Sequence, residues 1–376
     1  MKVRAHYIAE AAANPTGGLR QGATYTHQVD LGADLDLGRL AGLPGGKVRI
    51  TFTERTGYSL TQDYVGSITY VQEIFGAGQN IRLAELSYDQ SMWQDKVRVK
   101  LGWMHTSDDF ASSPLYCYFQ NNAVCGQNGV VIDSGFSIFP AGAWGTLVKV
   151  QADEELYVQA GVYEVNPTLS EAANGFKLGF SGATGVVLPV QVGWQPRLGP
   201  DALPGHYRIG AFRDTSRTAY LGSPIGGPTS MSPGRWGVYA QAEQMILRTA
   251  PDADRGLSVF AALAYAGPQT ALIETWWQAG LLRKGTFAGR DDDSIGLAVN
   301  QYRISSVLAA AQQAAALASP GSTAVQTAET IIELNYRAKL LPWMTLMPNV
   351  QYLIRPSGLA TIPNALVLGL QARVTL

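Results

Sequence analysis

Residues 96–104 alternate strictly between apolar side chains and charged or small ones, and this alternation limits the possible folds more than any other feature. One face carries Val97, Val99, Leu101 and Trp103, and the other carries Lys96, Arg98, Lys100 and Gly102. A period of two predicts a strand with one dry and one wet face. A soluble β-sandwich gives no reason to place three cations within five positions of one face, whereas a water-filled interior does. The stretch therefore indicates the wall of a channel.

The same alternation recurs in blocks of about ten residues along the chain, which is typical of a transmembrane barrel. Sixteen blocks are found, at 2–10, 22–33, 46–55, 80–90, 95–105, 144–152, 155–164, 185–196, 205–214, 235–247, 255–266, 273–284, 293–304, 328–340, 342–354 and 365–376. No apolar run approaches the roughly 20 residues that a spanning helix needs, and an open sheet edge in lipid would leave backbone groups unpaired. We therefore predict an all-β fold, a single sixteen-stranded antiparallel transmembrane β-barrel that occupies residues 1–376 as one domain.

Connections between the blocks are mostly long and short in turn. The long ones run over 56–79, 106–143, 165–184, 215–234 and 305–327, and the short ones include Ser91–Asp95, Asp153–Glu154, Ala250–Arg255 and Pro342. Outer-membrane barrels have short periplasmic turns and longer extracellular loops, so both termini are expected in the periplasm. The longer turn Asp36–Gly46 is expected to form a short helix ended by its glycines. The alanine-rich segment 306–318 is expected to form a solvated loop helix.

The inward faces of these blocks would line the lumen with charged and aromatic side chains. The charged ones are Arg49, Arg55, Glu85, Asp89, Arg98, Lys100, Glu243, Glu333 and Arg337, and the tyrosines are Tyr157, Tyr163 and Tyr239. Charged donors and acceptors can replace water around each hydroxyl of an uncharged sugar, and aromatic faces can take the C–H side of its ring. A second interpretation has equal weight: arginine and glutamate inside a barrel pair mainly with each other and narrow the pore.

Charge and motifs exclude several other classes of protein. The net charge of −1 and the lack of a basic run give no reason to expect nucleic acid as a partner. The sequence contains no G-x-S-x-G, P-loop or H-E-x-x-H motif, so we expect neither an enzyme nor a metal site. The acidic run Asp291–Asp293 on a short turn is expected to be solvated surface charge. The first ten residues lack a hydrophobic segment, so we expect that a signal peptide, absent from this chain, has been removed.

Cys117 and Cys125 lie eight positions apart in the long loop after the fifth block. Three states are open to them: a local disulfide, half of a metal site, or two unrelated thiols. The C-x7-C spacing lacks companion ligands and the four histidines are scattered, so a metal site is the weakest alternative. A disulfide formed in the periplasm fits best.

Several long segments resemble the carbohydrate-selective porins of the OprB family of Gram-negative outer membranes. They are GGLRQGATYTHQVDLGADLDL at Gly17, YVQEIFGAGQNIRLAELSYDQS at Tyr70, LGWMHTSDDFASSPLYCYFQNNAVCG at Leu101, LPGHYRIGAFRDTS at Leu203, ETWWQAGLLRKG at Glu274 and PWMTLMPNVQYLIRPSG at Pro342. The resemblance covers essentially the whole chain. It implies a sixteen-stranded barrel whose extracellular loops fold into the lumen and constrict a channel for glucose and other sugars. The chain departs from such barrels at Leu376, where an aromatic residue is usual, and this departure concerns the assembly signal rather than the fold.

The resemblance also places a constriction. Its positions are the loop that follows Arg55 and runs through Glu73, and the loop from Asp108 and Asp109 to Cys125, with Arg49, Arg98 and Glu85 beside them. We expect a passive, sugar-preferring diffusion channel without a cofactor, whose partners are small sugars and the lipid and lipopolysaccharide of the outer membrane. Two alternatives are a general diffusion pore without sugar preference and a plugged barrel that serves as an anchor or adhesin. Both a monomer and a homotrimer are open.

Overall fold

The computed structural model describes residues 1–126, 128–249, 255–319, 321 and 323–376, and its sixteen long strands form one closed antiparallel sheet. The strands are β1 (Lys2–Thr16), β2 (Gly22–Asp36), β3 (Gly46–Gly57), β4 (Ile81–Met92), β5 (Val97–Met104), β6 (Ala143–Gln151), β7 (Leu156–Val165), β8 (Gly185–Trp194), β9 (Leu203–Ala219), β10 (Met231–Arg248), β11 (Gly256–Ala266), β12 (Ile273–Lys284), β13 (Ser294–Ile304), β14 (Ala328–Leu341), β15 (Met344–Ile354) and β16 (Ala365–Thr375). Neighbours in sequence pair with each other, and β16 pairs with β1, with His6 opposite Thr375. The sheet thus closes on itself, and the predicted fold class is confirmed.

Three of the sixteen strands are clearly longer than their predicted blocks. β1 runs on to Thr16, and the β9–β10 hairpin continues until Ala219 pairs with Met231. The loop predicted at 215–234 therefore shrinks to 220–230. Side-chain alternation marks only the part of a strand that separates water from an apolar environment, whereas backbone pairing can continue beyond it. A two-residue strand, Arg197–Leu198, extends the turn before β9 by pairing with Leu203–Pro204.

Both termini lie at the barrel end that carries most of the tight turns, where the Leu376 N–H donates to the Ala5 carbonyl (3.0 Å). The helix predicted in Asp36–Gly46 is confirmed as Leu37–Ala41. The Asp36 side chain accepts a hydrogen bond from the Arg39 N–H, and Gly42 ends the helix in the left-handed region (φ 67°). The turn predicted at Ala250–Arg255 lies outside the described residues except for Arg255.

The turn between β12 and β13 differs from its prediction. Asp293 is buried, and its carboxylate accepts hydrogen bonds from Arg290 Nε (2.7 Å), from the Lys339 N–H (2.9 Å) and from the Tyr336 hydroxyl. Asp291 and Asp292 are exposed as expected. The prediction of surface charge was wrong for Asp293 because its partners on β14 are more than forty positions away in sequence.

Two long loops fold into the barrel: loop A (residues 58–80) and loop B (residues 105–142). Apolar residues of loop A, such as Leu60 and Val65, and of loop B, such as Phe110, join Tyr163 and Tyr239 of the wall in one buried cluster. Loop A carries a π-helix (Thr61–Val65), and loop B carries the short helices Thr106–Asp109, Tyr116–Tyr118, Asn122–Cys125 and Asn128–Val131. The other helices outside the wall are Pro167–Ser170, Ala172–Asn174, Ser306–Ala318 and Pro356–Gly358, and the third of these confirms the predicted loop helix. Within the described residues, none of the helices has the length and apolar character to cross a membrane.

Candidate functional site

Loop B is fastened to the wall by a carboxylate that meets its backbone. Glu333 of β14 is fully buried, and its two oxygens accept hydrogen bonds from the N–H groups of Gln120 (2.9 Å) and Asn121 (2.8 Å). Asn335, two positions along β14, donates to the Tyr118 carbonyl (2.9 Å). Loop backbone placed inside a barrel cannot use the sheet ladder, so side chains of the wall must satisfy its polar groups. Glu333 therefore positions the loop and does not face the open lumen.

Loop A is fastened in the same way. Glu329 accepts hydrogen bonds from the Ile68 N–H (2.9 Å) and from the Ser357 N–H (2.6 Å), and so joins loop A to the loop between β15 and β16. Gln351 donates to the Val71 carbonyl of loop A (3.0 Å) and accepts from Asn121 Nδ2 of loop B (2.7 Å). One wall side chain thus holds both loops in a fixed relation.

Three more of the predicted lumen residues lie beneath loop B. Tyr163 and Tyr239 point inward as predicted, but they are buried: Tyr163 stands edge-on to Phe110, and the Tyr239 hydroxyl donates to Gln191 Oε1 (2.8 Å). Glu243 forms a buried ion pair with Arg208. Alternation correctly gives the direction of these side chains, whereas the loop that covers them decides whether a solute can reach them.

A central cavity of about 430 Å³ lies between loop A, loop B and the wall. Among the predicted site residues it is lined by Arg55, Glu73 and Asp108. The remaining polar and aromatic lining was not named among the predicted site residues, and it consists of His6, Gln28, Asp30, Tyr70, Phe75, Ser107, Asn122, Phe139 and Arg373. The inward alternation of β1, β2 and β16 carries the signal for His6, Gln28, Asp30 and Arg373. The position of Tyr70, Phe75 and Phe139 inside the two infolding loops carries it for the aromatic residues.

The two arginines of the central cavity have different partners, a carboxylate for Arg373 and a neutral amide for Arg55. Arg373 Nη2 lies 3.3 Å from Glu73 Oε1, and Arg55 Nε donates to Gln28 Oε1 (2.7 Å) while its guanidinium lies 5.7 Å from the centre of the Phe139 ring. Burial raises the pKa of Glu73, and the positive charges of Arg373 and Arg55 offset only part of this rise.

Asp108 differs from Glu73 because its side chain is 46% exposed. It shares a hydrogen bond with Nδ1 of the buried His105 (2.9 Å). Burial of the surroundings favours the neutral acid, but His105 and then Lys100 outweigh it, so that the pKa of Asp108 is lowered. The cavity therefore contains an accessible carboxylate whose pKa is lowered, together with two arginines of the wall.

A second cavity of about 360 Å³ lies at the barrel end that carries the termini. The predicted residues Arg49, Glu85, Asp89, Arg98 and Lys100 line it. Arg98 Nε donates to Asp89 Oδ2 (2.7 Å), and Arg49 Nη1 lies 3.9 Å from Glu85 Oε2. The structure thus groups these five residues, and their mutual pairing matches the second interpretation of the inward charges.

Lys100 links this second cavity to loop B. Its Nζ donates to Asp109 Oδ2 (3.0 Å) and lies 3.8 Å from Glu85 Oε1. Burial raises the pKa of Asp109, and Lys100 counteracts that rise only in part. The last predicted residue, Arg337, lies with its guanidinium 4.9 Å from the centre of the Tyr118 ring of loop B. Asp109 of loop B therefore binds Lys100 of the wall, and Arg337 of the wall contacts loop B. A role in solute passage stays a prediction for all these residues.

The predicted disulfide is confirmed: Cys117 and Cys125 are bonded within loop B. Both cysteines line the central cavity. The disulfide closes a short cycle within loop B, and Glu333 binds the backbone of the same cycle at Gln120 and Asn121. This part of the cavity lining is therefore held both by a covalent bond and by hydrogen bonds to the barrel.

Comparison with known proteins gives consistent matches over the whole barrel. A family model described as "Carbohydrate-selective porin, OprB family" matches residues 20–376. The chain is 35% identical to Porin B of Pseudomonas aeruginosa, over 97% of this chain and 85% of that protein, and 32% identical to the putative porin QuiX of Acinetobacter baylyi, over 99% and 88%. It superposes on the high-pH structure of Pseudomonas putida OprB with a TM-score of 0.95 at 30% identity, covering 100% of this chain and 94% of that one.

Proposed function

Because the chain belongs to the OprB family of carbohydrate-selective porins, we propose that the central cavity between loops A and B is where it selects a neutral sugar. The protein is a channel of the Gram-negative outer membrane that prefers sugars and lets them pass by diffusion. The observation that carries the assignment of the site is the juxtaposition of an accessible carboxylate, Asp108, with Arg55 and Arg373 in one cavity beside aromatic rings.

The chemistry of the cavity suits a polyhydroxylated ring. A sugar hydroxyl that leaves water needs both a donor and an acceptor. Asp108 accepts, and Arg55 and Arg373 donate, while Phe75 and Phe139 offer apolar faces to the C–H groups of the ring. At roughly 30 Å³ per water molecule, a cavity of about 430 Å³ admits one monosaccharide together with a few waters.

The second cavity lies on the path out of the barrel. Its arginines are paired with carboxylates, and Lys2 and Lys47 add further positive charge to its lining, so it offers hydrogen bonds together with a net positive charge. The end with the long loops is proposed to face the cell exterior, and the end with the short turns and both termini is proposed to face the periplasm.

Liposome swelling with the purified barrel tests this function. We compare glucose, a disaccharide and a neutral amino acid whose size matches that of glucose. Faster influx of glucose than of the amino acid is expected, because the zwitterionic amino acid must lose the hydration of two charged groups to enter the cavity, whereas glucose loses only that of neutral hydroxyls. Equal rates would show a general diffusion pore, and a lack of swelling with every solute would show a plugged anchor.

Two variants assign the preference to the central cavity. Asp108→Asn keeps the shape of the side chain but removes the charged acceptor, and it is expected to lower the glucose to amino acid ratio severalfold. Asp201→Asn, in an exposed turn near the terminal end, is the matched control and leaves the ratio unchanged. An unchanged ratio in Asp108→Asn would place the selective site elsewhere in the lumen.

A further inference from the structure

The second cavity carries more positive than negative side chains. Its lining contains six cations and four carboxylates. The cations are Lys2, Arg39, Lys47, Arg49, Arg98 and Lys100, and the carboxylates are Asp34, Asp36, Glu85 and Asp89. An anion that moves through this part of the lumen therefore meets an attractive field, and a cation meets a repulsive one.

Ion pairing within the wall leaves this excess in place because two of the carboxylates are shared between cations. Asp34 Oδ1 lies 3.1 Å from Arg4 Nη2 and also 3.1 Å from Arg49 Nε. The Glu85 carboxylate lies 3.9 Å from Arg49 Nη1 and 3.8 Å from Lys100 Nζ. One negative charge thus serves two positive charges at each of these acids.

Two lysines of this region have no carboxylate partner of their own. Lys47 of β3 lines the second cavity, and Lys149 of β6 lies beside Arg98 across the β5–β6 ladder. The Lys149 ammonium lies 3.7 Å from the centre of the Tyr157 ring. Within the part of the chain that the structure describes, neither lysine forms an ion pair with a carboxylate. Neither side chain is buried, so an anion in the lumen can reach both ammonium groups.

The acids of the nearby turn between β6 and β7 are engaged elsewhere. Asp153 Oδ1 accepts hydrogen bonds from the N–H groups of Glu155 (2.8 Å) and Leu156 (2.7 Å), which closes the turn. The Glu155 carboxylate accepts a hydrogen bond from Nε1 of the exposed Trp194 (2.9 Å). These two acids therefore belong to the rim of the barrel, whereas the lysines face the passage.

The second cavity follows directly on the central cavity. Asp108 lines the central cavity, and the next residue, Asp109, binds Lys100 of the second cavity. In the central cavity Arg55 donates to the neutral amide of Gln28, and the described residues give it no ion pair with a carboxylate. A solute carboxylate that enters the barrel therefore has Arg55 as a partner in the central cavity and lysines as partners in the second cavity.

We propose that the channel also passes sugar acids, which are polyhydroxylated solutes with one carboxylate, and that the cations of the lumen set this preference for negative charge. The proposal rests on the sugar channel described above, because the hydroxyls of a sugar acid use the same donors and acceptors as those of a sugar. The solute carboxylate exchanges water for arginine and lysine donors, which form charge-assisted hydrogen bonds. One carboxylate suits the passage better than a phosphate ester, since Lys47, Arg98 and Lys149 are spread over β3, β5 and β6 and do not gather at one point.

Proteoliposomes that contain the whole barrel test this charge preference. The probes are isotopically labelled glucose, glucuronate and glucosamine, three rings of similar size that differ in charge. The pH is set so that glucuronate is ionised and the amine of glucosamine is protonated, and potassium with valinomycin holds the membrane potential near zero. Glucuronate is expected to enter faster than glucosamine. Equal influx of the two charged solutes, or faster influx of glucosamine, would overturn the proposal.

Two double variants assign the preference to the lysines of the lumen. Lys47→Gln/Lys149→Gln is expected to lower the ratio of glucuronate to glucosamine influx about tenfold, the lower end of what a charged cleft gains by focusing its field. Lys47→Arg/Lys149→Arg keeps both charges and is expected to retain the ratio. Arg217→Gln/Arg303→Gln removes two exposed arginines of the outer surface and is the matched control. Equal loss in this control, or an unchanged ratio in Lys47→Gln/Lys149→Gln, would overturn the role of the lumen lysines.

Glucose influx separates this proposal from the proposed sugar channel. A barrel that excludes glucose would contradict the sugar channel itself. A barrel that admits glucose but does not favour glucuronate over glucosamine would contradict only the passage of sugar acids. In Lys47→Gln/Lys149→Gln the influx of glucose is expected to change less than that of glucuronate, which shows that the variant is folded and open. The monophosphate of glucose, if it entered as fast as glucuronate, would overturn the assignment to carboxylates.

Discussion

Replacing Glu333 by alanine should release loop B from the wall and turn a selective channel into a wider one. The substitution removes the shared acceptor of the Gln120 and Asn121 N–H groups. A buried donor left without a partner costs about 1–3 kcal/mol, so the docked loop loses about 2–6 kcal/mol. Local loosening of the segment around Gln120 lets water hydrate both groups and recovers part of this cost, while the hydrogen bonds of Asn335 and Gln351 to the loop remain. The sixteen-stranded ladder does not depend on this carboxylate, so the barrel itself should remain folded.

The expected result has three measurable parts. Single-channel conductance of Glu333→Ala rises, the glucose to amino acid ratio in liposome swelling falls toward one, and the thermal unfolding of the barrel shifts only slightly. Glu333→Gln keeps one acceptor oxygen and should lie between wild type and Glu333→Ala. Glu171→Ala removes an exposed carboxylate of another loop and is the matched control. Unchanged conductance and an unchanged ratio in Glu333→Ala would refute the idea that this carboxylate holds the loop.

Three further predictions follow from the same structure. Arg98→Ala should change glucose flux more than barrel stability, because a half-exposed ion pair contributes only about 0–1 kcal/mol; unchanged flux and conductance would contradict this. As the pH falls toward the ordinary range of a glutamate, Glu73, whose pKa is raised, should take up a proton before Asp108, whose pKa is lowered. Ion selectivity, measured by reversal potential, should therefore shift toward anions. Glu73→Gln should abolish this shift. The thiols of Cys117 and Cys125 should resist alkylation under non-reducing conditions and react after reduction, as mass spectrometry can show.

The pH prediction has an opposite sign for stability at the two acids. For Glu73 the folded protein holds its proton more firmly than the unfolded chain, so its contribution to stability falls as the pH rises from the ordinary glutamate range through the raised pKa. For Asp108 the pKa is lowered, so its contribution is present above the ordinary aspartate range and is lost as the pH falls through the lowered pKa.

The wall of the barrel could be predicted from the sequence because side-chain alternation is a local property. All sixteen strands and the inward direction of residues such as Arg55, Tyr163 and Glu333 follow from a period of two. The ends of β1, β9 and β10 could not be predicted, because backbone pairing continues there beyond the part of the strand in which apolar and polar side chains alternate. The helix in Asp36–Gly46 could be predicted, since its capping residues are adjacent to it in sequence.

The site was less predictable because long-range contacts decide it. Glu333 meets loop residues more than 200 positions away, and nothing near Glu333 in the sequence shows this. Glu73 and Asp108 were named through the resemblance to the family. Only the fold shows that Glu73 pairs with Arg373 and that Asp108 is exposed. The path of the two loops therefore carries the information that alternation lacks.

The inward charges have two distinct tasks, and the backbone of the infolded loops is the reason. Each loop brings N–H groups into the lumen that no strand can pair. Glu333 accepts two of them from loop B, and Glu329 accepts one from loop A and one from the loop between β15 and β16. We expect these acids to set the width of the channel. Accessible charges such as Asp108 are instead expected to face the solute. Substitutions of the first kind should therefore change conductance and selectivity together, whereas substitutions of the second kind should change sugar preference at nearly constant conductance.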